Sequence, residues 1–204
     1  MTTILQEAAA GRASIVAWTV EQYHRAIESG LVPEDTAVEL LDGFIVRKDR
    51  AKAGESPMTI GDRHRVVVVR LAHAAPLFES LGCFVQTQQP VSLPPAHEPE
   101  PDGAVVRGHI DEYLESAPQA GDLFCVIVVA DSSLTLDLGP KLRAYAGAGI
   151  PQYVVVDLVN DRVLVHQEPA GESYSHVTPL TRGETVQIHA GSGYVPMSVD
   201  RWLP

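Results

Sequence analysis

The chain has 204 residues, of which 45% are hydrophobic and 20% charged. This size and composition are typical of one globular domain whose core needs no disulfides, and they exclude a chain that is disordered throughout. Fifteen basic against 26 acidic residues give a formal net charge of −11, which argues against a protein that grips nucleic acid mainly through a basic surface. An enzyme whose site holds a metal ion stays compatible with this charge.

The sequence also indicates the cellular compartment in which the protein is expected. No stretch approaches the roughly 18 consecutive apolar residues of a membrane span, and the N-terminus lacks the basic and apolar regions of a secretory signal. Cys83 and Cys125 each have apolar neighbours, so we expect reduced thiols in the core. Together these features predict a cytoplasmic protein.

The domain organisation is simple. We predict a flexible tail over residues 1–14 and a single domain over residues 15–204, without repeats or low-complexity segments. Within the first part of that domain, Thr19 and Gln22 form a capping box, and Asp42-Gly43 is a type I′ hairpin signal. The elements predicted there are a helix over 19–29, a hairpin over 38–46, a loop over 47–59, a helix over 61–81, and a strand over 84–93.

The second part alternates strands with one helix. Residues 123–130 are almost all apolar and β-branched, as in a central strand covered on both faces. A helix follows to Ala148, and a buried strand over 152–158 then predicts parallel pairing through a right-handed crossover. The remaining predicted elements are a short strand over 102–106, a short helix over 111–116, and a C-terminal antiparallel meander of strands over 163–166, 174–180, 185–188 and 194–199.

Four polar residues stand at the edges of apolar elements: Glu39, His64, Asp102 and Lys141. Carboxylates brought together by adjacent strands supply the oxygen ligands that Mg²⁺ prefers. A nearby lysine can stabilise the charge that develops when water attacks a phosphodiester.

Each of these residues also has an ordinary structural interpretation. Glu39 fits the outward position of an alternating strand, His64 a surface position at a helix start, and Asp102 a turn after proline. Lys141 follows Asp137 by four residues, the spacing of an exposed helical ion pair. Taken singly, none of the four indicates a function.

The order and context of these residues resemble the Uma-two family of putative restriction endonucleases, in the PD-(D/E)xK nuclease superfamily. The resemblance covers roughly residues 18–203 and is most specific between Asp131 and Asp157. The similar segments are Val38-Glu-Leu-Leu-Asp-Gly43, Gly61-Asp-Arg-His64, Glu100-Pro-Asp102, Asp131-Ser-Ser133, Asp137-Leu-Gly-Pro-Lys141, Tyr145-Ala-Gly-Ala-Gly-Ile-Pro-Gln-Tyr153, Val156-Asp157 and Val199-Asp-Arg-Trp-Leu203.

The resemblance implies a restriction-endonuclease-like α/β fold, with a mixed central sheet flanked by helices, in a homodimer. It also implies cleavage of DNA that depends on Mg²⁺ or Mn²⁺. By position, Asp102 and Glu39 would bind the metal. Lys141, Glu39 and His64 would be the catalytic residues.

The chain departs from the family at Val128. The family usually has Glu-Val-Ser before its turn, whereas this chain has Val128, Val129 and Ala130. An oxygen ligand and a negative charge are therefore absent, which lowers divalent-metal affinity. Asp131 matches a turn residue of the family, and a shift by one residue along a strand reverses the side-chain direction, so the sequence does not identify a replacement.

Three functional hypotheses follow. The first is an active phosphodiesterase, which uses Glu39, Asp102 and Lys141 with one weakly held metal ion. The second is a catalytically inactive protein of nuclease fold that binds nucleic acid or a protein partner. The third is a purely structural dimerising domain.

Overall fold

The computed structural model describes residues 3–33, 36–48 and 61–204. Ten strands and several short helices occur in these ranges. The helices are α1 (Ile4–Ala9), α2 (Val20–Glu28), α3 (Asp62–Ala72), α4 (Pro76–Glu79), α5 (Leu134–Leu136) and α6 (Leu142–Gly147), with 3₁₀ turns at Ile110–Tyr113, Ala120–Asp122 and Val199–Arg201 and a π-type turn at Asp137–Lys141.

A six-stranded sheet forms the centre of the protein, in the order β3-β4-β5-β6-β7-β8. The β5–β6 pair is parallel, and the other pairs in this sheet are antiparallel. β1–β2 and β9–β10 each form a separate two-stranded antiparallel sheet. The strands are β1 (Val38–Leu41), β2 (Phe44–Arg47), β3 (Cys83–Gln86), β4 (Gly103–Arg107), β5 (Leu123–Ala130), β6 (Gln152–Asp157), β7 (Arg162–Ala170), β8 (Ser173–Leu180), β9 (Thr185–Ala190) and β10 (Gly193–Ser198).

Alternation along β5 divides its side chains between two apolar clusters. Ile127 and Val129 belong to the cluster that contains residues of α3 and of the β9–β10 hairpin. Val126 and Val128 belong to the other cluster, with Tyr145 of α6. The central strand is therefore covered on both faces, and the predicted mixed sheet with flanking helices is confirmed.

Local signals place the N-terminal elements correctly. Thr19 and Gln22 form the predicted capping box on α2. Asp42 and Gly43 have φ values of 50° and 72° between β1 and β2, as a type I′ turn requires. Residues 1–14 include the short helix α1, while the predicted flexibility of this segment stays a prediction. The predicted loop over 47–59 lies, beyond Lys48, outside the described residues.

Two long predicted elements are shorter in the structure. The single helix predicted over 61–81 is wrong: α3 ends at Ala72 and α4 begins at Pro76, since a proline inside a helix lacks the N–H donor and clashes with the preceding turn. The strand predicted over 84–93 ends at Gln86. Gln88 has a φ of 52°, which is incompatible with a continuous strand.

Three further elements differ in detail. The helix predicted up to Ala148 is divided by the π-type turn, where Gly139 has non-helical backbone angles before Pro140. The helix predicted over 111–116 is a 3₁₀ turn. In place of one continuous meander, the C-terminal strands form two hairpins, because β7–β8 extends the central sheet and β9–β10 packs as a separate pair. Within the described ranges, every helix is too short or too polar to cross a membrane.

Candidate functional site

Glu39 is buried between the first hairpin and the rest of the domain. Its neighbours on β1, Val38 and Leu40, pack in the apolar cluster with α2, so alternation points Glu39 the other way. The side chain is 3% exposed. Its Oε1 lies 3.0 Å from the Nζ of Lys141, and its Oε2 accepts a hydrogen bond of 3.2 Å from the backbone N–H of Glu100. The interpretation of Glu39 as an outward surface residue is therefore wrong.

Asp102 precedes β4 and is held through both carboxylate oxygens. Oδ1 lies 2.9 Å from Nε2 of His64 at the start of α3. Oδ2 accepts a 2.7 Å hydrogen bond from the backbone N–H of Val129 on β5. The His64 and Asp102 side chains are 17% and 18% exposed, so this pair lies at the edge of the core rather than on an open surface.

Val128 lies on the sheet rung next to the Asp102 carboxylate. Gly103 pairs with Ile127 in the antiparallel β4–β5 ladder, and extending this register by one residue beyond β4 sets Asp102 opposite Val128. Opposite residues of an antiparallel pair point to the same face. Val128 is 2% exposed and belongs to the apolar cluster of α6. A carboxylate at position 128 would therefore face the same side of the sheet as Asp102.

Lys141 is the cation at the centre of this region. Its side chain is 11% exposed, and its Nζ lies 3.8 Å from the Oδ1 of Asp137 as well as 3.0 Å from Glu39. Asp137 is 2% exposed and accepts a hydrogen bond from the Ser133 hydroxyl. The Asp137–Lys141 pair is therefore buried, and the sequence-based interpretation of it as an exposed helical pair is wrong.

The charges in this region influence one another. Burial raises the pKa of Asp137 to about 6, and it outweighs the opposing effect of the Lys141 ammonium; the charges of Asp102 and Glu39 raise the value further. Burial alone would lower the pKa of Lys141, but Glu39, Asp137 and Asp102 outweigh it and raise that pKa. Three carboxylates thus act on a single ammonium group.

Two buried side chains of the site were missed as functional candidates from the sequence: Asp137 and Tyr145. Asp137, Lys141 and Tyr145 follow one another at intervals of four residues. This spacing places side chains on one side of a helix, and it is the sequence signal by which Asp137 and Tyr145 could have been identified. Tyr145 is fully buried, and its hydroxyl has no hydrogen-bond partner among the described residues.

The described residues do not fit a preformed metal site. Over residues 3–33, 36–48 and 61–204, no three His, Cys, Asp or Glu side chains are arranged to hold a metal ion. The Asp131 carboxylate lies against the start of α3, where a Cβ on Gly61 would come within 2.8 Å of its Oδ2. Lys141 and His64 instead occupy positions beside the carboxylates of Glu39 and Asp102.

Comparisons with known proteins agree with this architecture. A solved structure, described as a putative nuclease belonging to DUF820 from Anabaena variabilis ATCC 29413, superposes with a TM-score of 0.62 at 14% sequence identity. The match covers 90% of this chain and 96% of the other, and at this identity it shows a shared fold. A search of curated protein sequences gave no significant match.

The sequence also matches a family profile over most of its length. Residues 20–195 match the family Uma2, described as putative restriction endonuclease. This range includes Glu39, His64, Asp102, Val128 and Lys141, and it spans every strand of the central sheet. The chain therefore belongs to the Uma2 family of putative restriction endonucleases.

Proposed function

We propose that this protein is a restriction-endonuclease-like protein in which Mg²⁺- or Mn²⁺-dependent cleavage of DNA is weak or lost. Family membership and the shared fold support the nuclease ancestry. The loss of activity rests on one observation, which is the buried isopropyl group of Val128, one residue along β5 from the Gly103–Ile127 pair. A divalent cation needs several oxygen ligands, and Val128 contributes none.

The contacts of the two remaining ligand candidates support the same conclusion. Both oxygens of Glu39 and both oxygens of Asp102 already have donors within the protein. A divalent cation that coordinates Glu39 Oε1 or Asp102 Oδ1 would compete with the Lys141 ammonium or the His64 imidazole for the same oxygen. This competition costs binding free energy, because it weakens buried charge-assisted contacts.

The residues retain roles that suit phosphodiester chemistry. The Lys141 ammonium is placed to stabilise negative charge that develops on a phosphate. His64 fixes the direction of the Asp102 carboxylate through their 2.9 Å contact. We propose DNA as the substrate of this protein and a homodimer as its assembly. The net charge of −11 is consistent with weak DNA binding.

The test uses Val128→Glu, with Val128→Gln as the matched control of similar size without the charge. Calorimetry with Mn²⁺ and a plasmid-nicking assay compare both variants with the wild type. We expect little wild-type nicking, and at least about tenfold tighter Mn²⁺ binding with measurable nicking in Val128→Glu, since even outer-shell changes alter metal affinity by about 10–100-fold. Val128→Gln should show neither gain.

Two results would overturn the proposal. One is robust nicking by the wild type that disappears in Asp102→Ala. The other is an unchanged Mn²⁺ affinity in a folded Val128→Glu protein, which would mean that side chains 102 and 128 do not converge. Circular dichroism must show separately that Val128→Glu folds. Without a bound metal ion, the buried charge lowers the free energy of unfolding by roughly a few kcal/mol.

A further inference from the structure

The cation at the centre of the site is part of the protein itself. The Lys141 Nζ lies 3.0 Å from Glu39 and 3.8 Å from Asp137. Glu39 is also hydrogen-bonded to the backbone two residues before Asp102. Glu39 and Asp137 are both at least 97% buried. Charged groups this deeply buried need a counter-charge, and the counter-charge here is the Lys141 ammonium.

A further buried polar group, the Tyr145 hydroxyl, belongs to a residue four positions after Lys141. The Tyr145 hydroxyl is fully buried and has no hydrogen-bond partner among the described residues. Besides burial, the charges of Glu39, Asp137 and Asp102 raise the pKa of Tyr145. An unpaired buried hydroxyl is unfavourable unless it serves a ligand or a network.

We propose that the Lys141 ammonium is the resident cation of this site, and that it competes with divalent cations for the carboxylates of Glu39 and Asp137, its two direct partners. A monovalent ammonium and a divalent ion cannot both occupy the space between these groups, because like charges a few ångströms apart repel strongly in a buried site. The absence of a three-ligand metal group in the described residues agrees with an arrangement that is centred on Lys141.

The inference rests on the proposed function only in treating this region as a former metal site. A resident cation and a purely catalytic lysine differ in how removal of Lys141 changes the affinity for divalent cations. If Lys141 acts only on the phosphate, its removal leaves cation affinity unchanged. If Lys141 is the resident cation, its removal increases divalent-cation affinity.

The test is Lys141→Met, which keeps the length of the side chain and removes the charge. Calorimetry with Mn²⁺ alone, without DNA, should show binding about tenfold or more tighter than in the wild type. Lys141→Arg keeps the charge and should bind Mn²⁺ as the wild type does. Arg143→Gln is a second control: it removes a half-exposed charge on the same helix, which pairs with Asp42 outside the site.

A further variant locates the new site. Adding Asp137→Asn to Lys141→Met should remove most of the gain in Mn²⁺ affinity, because it deletes one of the two carboxylates that Lys141 contacts. A Lys141→Met protein that binds Mn²⁺ no tighter than the wild type overturns the inference. So does a gain that Asp137→Asn leaves intact.

Folding of Lys141→Met gives an additional readout. If this variant is unfolded without metal, Mn²⁺ should restore the native circular dichroism spectrum, because the ion then replaces the missing positive charge and binding is linked to folding. A variant that stays unfolded in saturating Mn²⁺ also overturns the inference. Since DNA is absent from these measurements, a failure to cleave DNA leaves the outcome unaffected.

Discussion

Two ion pairs with the same i,i+4 spacing have different surroundings in this protein. Glu21 and Arg25 on α2 form an i,i+4 pair whose side chains are 74% and 72% exposed. Asp137 and Lys141 form an i,i+4 pair whose side chains are 2% and 11% exposed. The two pairs have the same spacing in the sequence, but one is exposed to solvent and the other is buried.

The difference shows that burial, and not spacing, decides the strength of such a pair. Water and salt screen the exposed pair, so it contributes only a few tenths of a kcal/mol. The buried pair has lost its hydration, and removal of one partner leaves an uncompensated charge in the core. Glu39 adds a second carboxylate to the buried pair, which makes its dependence on Lys141 stronger.

The largest expected effect is the stability of the metal-free Lys141→Met protein. We expect the free energy of unfolding to fall by about 3–5 kcal/mol, since the carboxylates of Glu39 and Asp137 lose their buried counter-charge. Urea denaturation followed by circular dichroism measures this change. A loss below about 1 kcal/mol, the range of surface pairs, would show that the two regions do not differ in the way proposed.

The second effect is a pH dependence caused by Asp137. Its pKa is raised from 3.8 to about 6, so the folded state binds more protons than the unfolded state between these values. The contribution of Asp137 to stability is therefore greatest below pH 3.8 and is lost as the pH rises through about 6.

Asp137→Asn removes this titration. Near pH 7 the variant should be more stable than the wild type by up to about 3 kcal/mol, at about 1.4 kcal/mol per pKa unit. Its advantage should shrink as the pH falls from about 6 to about 4, where the Asp137 carboxylate of the wild type becomes protonated. Urea denaturation of both proteins across this range is the measurement, and Asp62→Asn at the exposed start of α3 is the control. A constant difference between Asp137→Asn and wild type at every pH would contradict the prediction.

The smallest expected effect is on the exposed pair. Arg25→Gln removes the charge opposite Glu21 and should change the free energy of unfolding by about 0.3–0.5 kcal/mol, because an exposed helical pair contributes no more than this. The change should disappear at high salt, where such pairs are screened. A loss comparable with that of Lys141→Met would remove the contrast between the two helices.

Much of the fold could be predicted from short segments. The β1–β2 turn follows from Asp42-Gly43, because this dipeptide readily adopts the positive φ values that the turn needs. The central strand and its parallel neighbour follow from two apolar runs separated by a helix. The break at Pro76 was missed because the long apolar pattern outweighed a single proline in the prediction.

The site could be predicted only in part. Glu39, His64, Asp102 and Lys141 were candidates because of their order along the chain, and the structure brings Glu39 to Lys141 and His64 to Asp102. The ordinary interpretation of Asp137 was an exposed ion pair with Lys141, since periodicity alone does not show which face of a helix is covered. The burial of its carboxylate became visible only with the packing of α5 and α6 against the sheet.

The sequence by itself determined most of the local elements and the mixed α/β class, because these depend on neighbouring residues and on the hydrophobic pattern. Only the tertiary structure decided which charges meet. Glu39, Asp102 and Lys141 are separated by dozens of residues in the chain, and their interaction depends on distance and on exclusion of water. Both are properties of the packed domain.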